Sequence, residues 1–442
     1  MNFWQHRNLP GGPHHAAPAG YVGVRFDTSA SRGAISDSSE VSGMAPRETG
    51  NPSAATQSEA ATTRQTEPNT GETNQAETKP AKPGRITSLD VGRGWFLIMS
   101  VTSAAWLLPR PDWLIHAPWI GIRYYDMIFP LFVTLSGIGL AFAYHNRVSF
   151  KVTLRRIVVL VVVGLLYNGV SSGQWDPATF RFTGPLQVYA VIVAIIATCH
   201  LFARNWMAWA GITAGVAVLQ TGLLTWWAGT CPSGVLSPSC NPSGMWDRAL
   251  LGAHMYYGGF LGHDPEGLVA ITGALLTAAA GTTAGHLALS SRRLGWKTGP
   301  VKLLALAAAM SVFGLILTIW VPAFKRLWTP SFSLIAGAVG VLIFAVAFLC
   351  FDVPLRSGNS RIRERIAWPF TALGRNSLLV YFGSHLAIDV LNRLGPEPGL
   401  AWRIAAKLGD TLGAPYRFIF LNMVAWWALA LLLHWRKIYI HA

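Results

Sequence analysis

The sequence predicts an all-α, polytopic membrane bundle of about ten transmembrane helices behind a disordered N-terminal tail, and three observations carry that reading. Of 442 residues, 52% are hydrophobic and only 12% charged. About ten apolar runs lie between residues 88 and 436, each close to the ~18 residues needed to cross a ~30 Å hydrocarbon layer. Lys and Arg gather in short segments between those runs, the pattern that orients helices with basic loops toward the cytoplasm. Topology therefore accounts for most of the +15 formal charge, and no nucleic-acid partner is called for. No segment outside the runs is large enough for a soluble domain.

Residues 1–84 are rich in Ala, Ser, Thr, Gly, Pro and Glu without periodicity or an apolar run. Such a stretch cannot bury enough surface to offset its chain entropy. It is read as a disordered polar tail, and 85–442 as the membrane domain. The first helix, about 89–108, opens through RITSLDVGRGWF, where Asp90 and Arg93 lie three residues apart on one face. The second covers about 124–144 and is followed by Arg147, Lys151, Arg155 and Arg156. Helices three, four and five are expected at about 157–170, 185–203 and 206–228. The connection 229–266 is long and rich in Gly, Pro, Trp and Tyr, the composition of a packed cap, and it ends in GHDPEGL. Helices six, seven and eight follow at about 268–289, 303–321 and up to Phe351. Helix nine, about 369–391, is interrupted by Arg375, Asn376, Ser384 and His385, and helix ten covers about 417–435.

With the tail in the cytoplasm, connections 147–156, 292–302 and 356–365 lie inside and carry four Lys or Arg each. Ten spans return both termini to that side of a cell membrane. His116, Asp126, Arg181, His263, Asp264, Glu266, Lys325 and Arg326 then share the outer face. Cys231 and Cys240 fall in one loop on that oxidising side and are the disulfide candidates. Ionisable groups at the rim of a bilayer are costly and mark functional sites. No zinc spacing, phosphate loop or dinucleotide fingerprint is present, so no metal is expected.

The motifs SLDVGRG (88–94) and HAPWIGIRYYDMIFPLFVTLSG (116–137) resemble those of the heparan-α-glucosaminide N-acetyltransferase family of multi-pass membrane acyltransferases. TGPLQVYAV, HDPEGL, RLWTPSF and LGRNSLLVYFGSHL follow in the family's order. Thr102 and Ser103 stand where family members commonly carry an asparagine. The resemblance implies transfer of an acetyl group from cytoplasmic acetyl-CoA to an amino sugar or cell-surface glycan across the membrane, with His116 as the catalytic histidine.

Acyl transfer needs a base for the attacking proton, a polar site for the oxyanion and a thioester held in line. His116 can be that base or can itself carry the acyl group. Asp126 or Asp264 can orient it. Arg181, Gln187, Glu266, Arg326 and Asn376 are candidates for holding the acceptor. Arg93, Arg147, Arg155 and Arg156 are candidates for the coenzyme phosphates. The expected partners are the bilayer and the acceptor glycan, with a homodimer left open. The rival reading is a proton-coupled transporter of a small solute, in which His116, Asp126 and the interrupted ninth helix form the path.

Overall fold

In the computed structural model, residues 86–107, 110–291, 297–354, 360–408 and 413–440 are described; the expected tail lies outside them. The described residues form α-helices and short 3₁₀ turns without a β-strand. The helices are α1 (Thr87–Ala104), α2 (Tyr124–Tyr144), α3 (Phe150–Ser172), α4 (Pro185–Cys199) and α5 (Trp206–Thr230). They continue as α6 (Pro242–Leu251), α7 (Leu268–Ser291), α8 (Gly299–Leu317) and α9 (Pro330–Phe351). The last four are α10 (Ser360–Arg375), α11 (Ser377–Arg393), α12 (Leu400–Lys407) and α13 (Gly413–Trp435).

Six of these, α2, α5, α7, α8, α9 and α13, are long and apolar enough to span a bilayer, and the chain is a membrane protein. That count is smaller than the ten spans the apolar runs lead one to expect. Helix α1 holds Asp90 and Arg93, and α3 opens on Lys151, Arg155 and Arg156. Helices α4 and α11 have 15 and 17 residues.

Two boundaries depart from the sequence reading. The expected ninth helix is two elements: α10 starts nine residues earlier, at Ser360 rather than Pro369, and stops at Arg375. Asn376 then leaves helical geometry at φ −108° and ψ 27°, and α11 starts beyond it. The long connection 229–266 contains α6, whose N-terminus is capped by Asn241 accepting from Gly244 N at 2.8 Å. Its Cys231 and Cys240 are disulfide-bonded.

Small residues let the central helices meet backbone to backbone, as membrane helices do where lipid supplies no hydrophobic drive. A Cβ at Gly137 would stand 2.1 Å from Ala278 O, and one at Gly281 2.2 Å from Thr134 O, which seals α2 against α7. The α1–α10 contact is built the same way, with Gly374 against Asp90 O and Gly94 against Phe370 O. Helix α1 begins where it does because Asp352, at the end of α9, accepts from Thr87 N and Ser88 N at 3.0 and 2.9 Å. These are two of the four amides that any helix start leaves unpaired.

Candidate active site

At the first turn of α2, Asp126 is 1% exposed and surrounded by donors. Its Oδ2 accepts from Ala117 N at 3.1 Å and from Arg123 N at 2.9 Å, the second bond closing the helix start upon itself. Its Oδ1 lies 2.6 Å from His116 Nδ1. With Oδ2 filled by two amides, the group acts as an acceptor-only carboxylate, so His116 Nδ1 is the donor and the lone pair falls on Nε2. Among the described residues no hydrogen bond reaches Nε2, and the side chain keeps 34% of its surface open. Pro130, four residues after Asp126, supplies no N–H to the Asp126 carbonyl.

Three loops hold this pair. The His116 loop is tied to the loop before α9 by Gly121 N donating to Ala323 O at 2.9 Å, which brings Lys325 toward the imidazole. Trp119 is the common anchor. Its ring packs 5.4 Å from Phe324 and 5.6 Å from His263, and its Nε1 donates to Leu236 O in the cap. Burial and the Lys325 ammonium lower the His116 pKa, outweighing the Asp126 carboxylate that raises it, so the imidazole is neutral at pH 7. Burial, with Arg326 and Lys325 adding to it, takes His263 down to about 4. Arg326 faces Asp126 and Tyr256 in this electrostatic setting, and its buried Nε makes no hydrogen bond.

The other acidic candidates form a separate, closed cluster. Arg181 Nη2 donates to Asp264 Oδ1 at 3.1 Å and to Glu266 Oε2 at 2.6 Å, and its guanidinium lies 4.4 Å from the Tyr256 ring centre. Asp264 also accepts from Thr183 Oγ1, Tyr256 N and Glu266 N. Those bonds tie the α3–α4 loop to the cap and the start of α7. Asp126, not Asp264, is the carboxylate bonded to His116.

On the far side of the same helices lies a cavity of about 870 Å³. It runs along α2 from Phe129 to Ala143, about 21 Å at 1.5 Å per residue. Its other walls come from α1, α3, α4, α7, α10 and α11, including Tyr189 and Tyr381. One end is aromatic: Phe132 and Tyr381 meet edge to face at 5.3 Å, and Phe129 meets Tyr189 at 5.6 Å. Phe129 is three residues from Asp126, about 4.5 Å along the axis. Beyond the aromatic end the lining turns basic and polar, with Arg93, whose Nη2 donates to Leu135 O midway along α2, then Arg156 and Arg375 with His145 and Asn146. Arg375 stacks 3.5 Å from the Tyr439 ring centre, and its buried Nε makes no hydrogen bond among the described residues.

Of the expected coenzyme residues, Arg93 and Arg156 therefore line the cavity, whereas Arg147 and Arg155 are exposed and do not. Asn376 is fully buried beside Arg375, accepting from Ile440 N, and lies at the basic end rather than with His116. Gln187 faces α3: it fills the notch at Gly164 and Gly184, and both its amide atoms are buried without hydrogen bonds. Arg375, which lines the cavity with Tyr439 packed against it, and Lys325, near His116, are the groups that sequence reasoning passed over. Arg375 and Lys325 were visible there as charges in or beside apolar runs.

No family model matches the chain. It is 25% identical over 374 residues to human heparan-alpha-glucosaminide N-acetyltransferase, covering 69% of this chain and 53% of that protein. It is 22% identical over 397 residues to the mouse protein of the same name, covering 75% and 57%. The chain thus spans about half the length of these curated relatives. The likeness is distant and supports a membrane transferase at the general level.

Proposed function

We propose that the chain is a membrane acyltransferase that moves an acetyl group from acetyl-CoA, bound in the basic-ended cavity, to an amino sugar or glycan amine presented at His116. One observation carries the reading: a neutral imidazole whose Nε2 accepts no hydrogen bond among the described residues stands about one helical turn beyond the aromatic end of a cavity lined by three arginines. Guanidinium groups suit the phosphates of coenzyme A, and the apolar remainder suits its extended thioester arm. Arg375 Nε, buried and unbonded, is a donor that an anionic oxygen would satisfy.

In this reading Nε2 takes the proton of the attacking amine, or attacks the thioester first and hands the acyl group on. Asp126 holds the ring in the tautomer that either route needs. Lys325 and Arg326 are the cations available to the carbonyl oxygen as it gains charge. The basic end is assigned to the cytoplasm by the positive-inside rule, with both termini on that side of a cell membrane, and His116 to the opposite face.

The test is to purify the full chain into nanodiscs and supply acetyl-CoA labelled in the acetyl group with a panel of glucosamine, lipid-linked amino sugar and polymeric glycan. Acceptor-dependent release of coenzyme A with label on the sugar nitrogen is expected. Release that ignores every acceptor, or donor-independent uptake of a solute into vesicles, would overturn the proposal.

A further inference from the structure

The cap beside the His116 loop is itself tied down, and its ties converge on Trp119. The disulfide Cys231–Cys240 closes a loop directly after α5. Inside that loop the backbone turns back on itself, with Ser237 N donating to Cys240 O at 2.9 Å and Cys240 N to Ser237 O at 3.2 Å. Leu236, the residue before this turn, is 5% exposed and packs with Leu224, Val321, Phe324 and Leu327. Its carbonyl accepts from Trp119 Nε1 at 3.0 Å.

A second tie comes from the segment that leads to α7. Asn241 Nδ2 donates to Gly262 O at 3.0 Å, and a Cβ at Gly262 would stand 2.2 Å from Pro238 O. The next residue is His263, whose ring packs against Trp119. Both segments of the cap therefore grip the same indole. Within its own loop, Trp119 lies between Ala117 N and Arg123 N, the two amides that Asp126 Oδ2 accepts from. The carboxylate that orients His116 thus pins the two ends of the loop, while the cap and the segment before α9 pin its middle. Freeing the middle leaves Asp126 to hold the imidazole alone, and a displacement of about 1 Å at a reacting group can cost about 10²-fold in rate.

We propose that the disulfide-closed cap loop is a positioning element of the reaction, which acts through Trp119 Nε1 to hold the loop that carries His116 against Asp126. The proposal rests on the acyl-transfer reading for the rate it predicts. The hold on His116 is a property of the folded protein and can be read without donor or acceptor.

The experiment compares wild type, Cys231→Ser with Cys240→Ser, Trp119→Ala, Trp119→Phe, and the cysteine pair combined with Trp119→Ala, each as the full chain in nanodiscs. The first readout is modification of His116 by diethyl pyrocarbonate, which reacts with neutral imidazole, followed by peptide mass spectrometry across about pH 5–8. His116 faces the Asp126 carboxylate, the Lys325 ammonium and the Tyr125 ring. In wild type the modification rate is expected to stay level over this range. In the cysteine-pair variant it is expected to fall below about pH 6.5, as for a freely titrating histidine. In the transfer assay kcat is expected to drop about 10- to 100-fold, with the KM for acetyl-CoA little changed. Trp119→Ala is expected to reproduce both effects, and the combination to be no worse than either change alone, because both remove one hold. Trp119→Phe keeps a ring and the disulfide but lacks the N–H, and is expected to show both effects in part. It decides by the same profile if the cysteine pair does not fold.

A level profile with wild-type kcat in these variants, whatever their melting temperature, overturns the proposal and makes the disulfide a stability element of the cap alone. Losses that multiply in the combination overturn it too, because the disulfide and Trp119 then act by separate routes. If no acyl transfer occurs, the modification profile still reads the hold on His116, so the two failures give different results.

Discussion

The His116–Asp126 pair and the Arg181–Asp264–Glu266 cluster stand at the mouths of neighbouring elements and are built from the same residue types, yet they end in opposite states. In the cluster the charges are spent internally: one guanidinium serves two carboxylates, and Asp264 accepts from three further donors. In the pair, Asp126 is equally satisfied, but what it satisfies is one side of an imidazole whose other nitrogen stays open. The difference lies in what the charges are spent on: the cluster spends all of its contacts on bracing the cap, whereas the pair leaves one nitrogen open, the one the proposed reaction uses.

Substitutions break that comparison in order of effect. His116→Ala should lower transfer by about 10²- to 10⁴-fold, the range for removing a general acid–base group, with the protein still folded by size-exclusion chromatography in detergent. Asp126→Asn should cost about 10²-fold or more while retaining acceptor binding, because an amide no longer selects the tautomer that leaves Nε2 free. A His116→Ala enzyme with near-normal turnover would erase the distinction between the two regions.

Arg181→Leu should act on stability instead. It leaves two carboxylates in a buried site without their cation, a loss of about 3–5 kcal/mol for a broken buried pair, readable as a lower unfolding temperature in detergent. A stable Arg181→Leu protein whose only defect is in turnover would place the cluster in the reaction. At the other end of α2, Arg375→Ala should raise the KM for acetyl-CoA about tenfold, the scale of one hydrogen bond to a charged group, with kcat little changed. A rise in acceptor KM with donor KM unmoved would contradict the cavity's assignment.

The pH dependence sharpens the comparison most gently. His116 and His263 are both held below the ordinary histidine value, by burial first. Between that depressed range and about 6.5, the unfolded chain binds more protons than the folded one, so stability falls as pH drops below about 6.5 and these two groups leave it level above that value. Activity that needs neutral His116 should, over the same window, stay flat rather than lose half its value at the ordinary histidine pKa. A limb in kcat/KM at about 6.5 would show that the imidazole titrates freely.

Much of this was legible in the chain. The run from Tyr124 to Tyr144 is bounded by Arg123 and His145, and its apolar length sets the helix without help from elsewhere. His116 and Asp126 are ten residues apart, so a short loop suffices to join them. What the sequence does not display comes from distant contacts. Arg181 finds its partners 83 and 85 residues away, and Asn376 meets Ile440 64 residues on. The polar stretch GRNS reads in sequence as an interruption within one helix; in the structure it is a full break, with Asn376 out of helical geometry beside the close approach of Gly374 to Asp90 O. The cavity is assembled from helices far apart in the chain, α1 to α4 with α7, α10 and α11, so Arg375 reads in sequence as an interruption and in three dimensions as part of a wall.

The most direct test uses sealed proteoliposomes with the protein inserted in one orientation, labelled acetyl-CoA supplied only to the side bearing Arg375 and an amino-sugar acceptor only to the side bearing His116. Acetylated sugar should accumulate in the His116 compartment and be absent with His116→Ala. Product that forms only when donor and acceptor share one compartment would contradict an acyl group passed along α2 from one end of the molecule to the other.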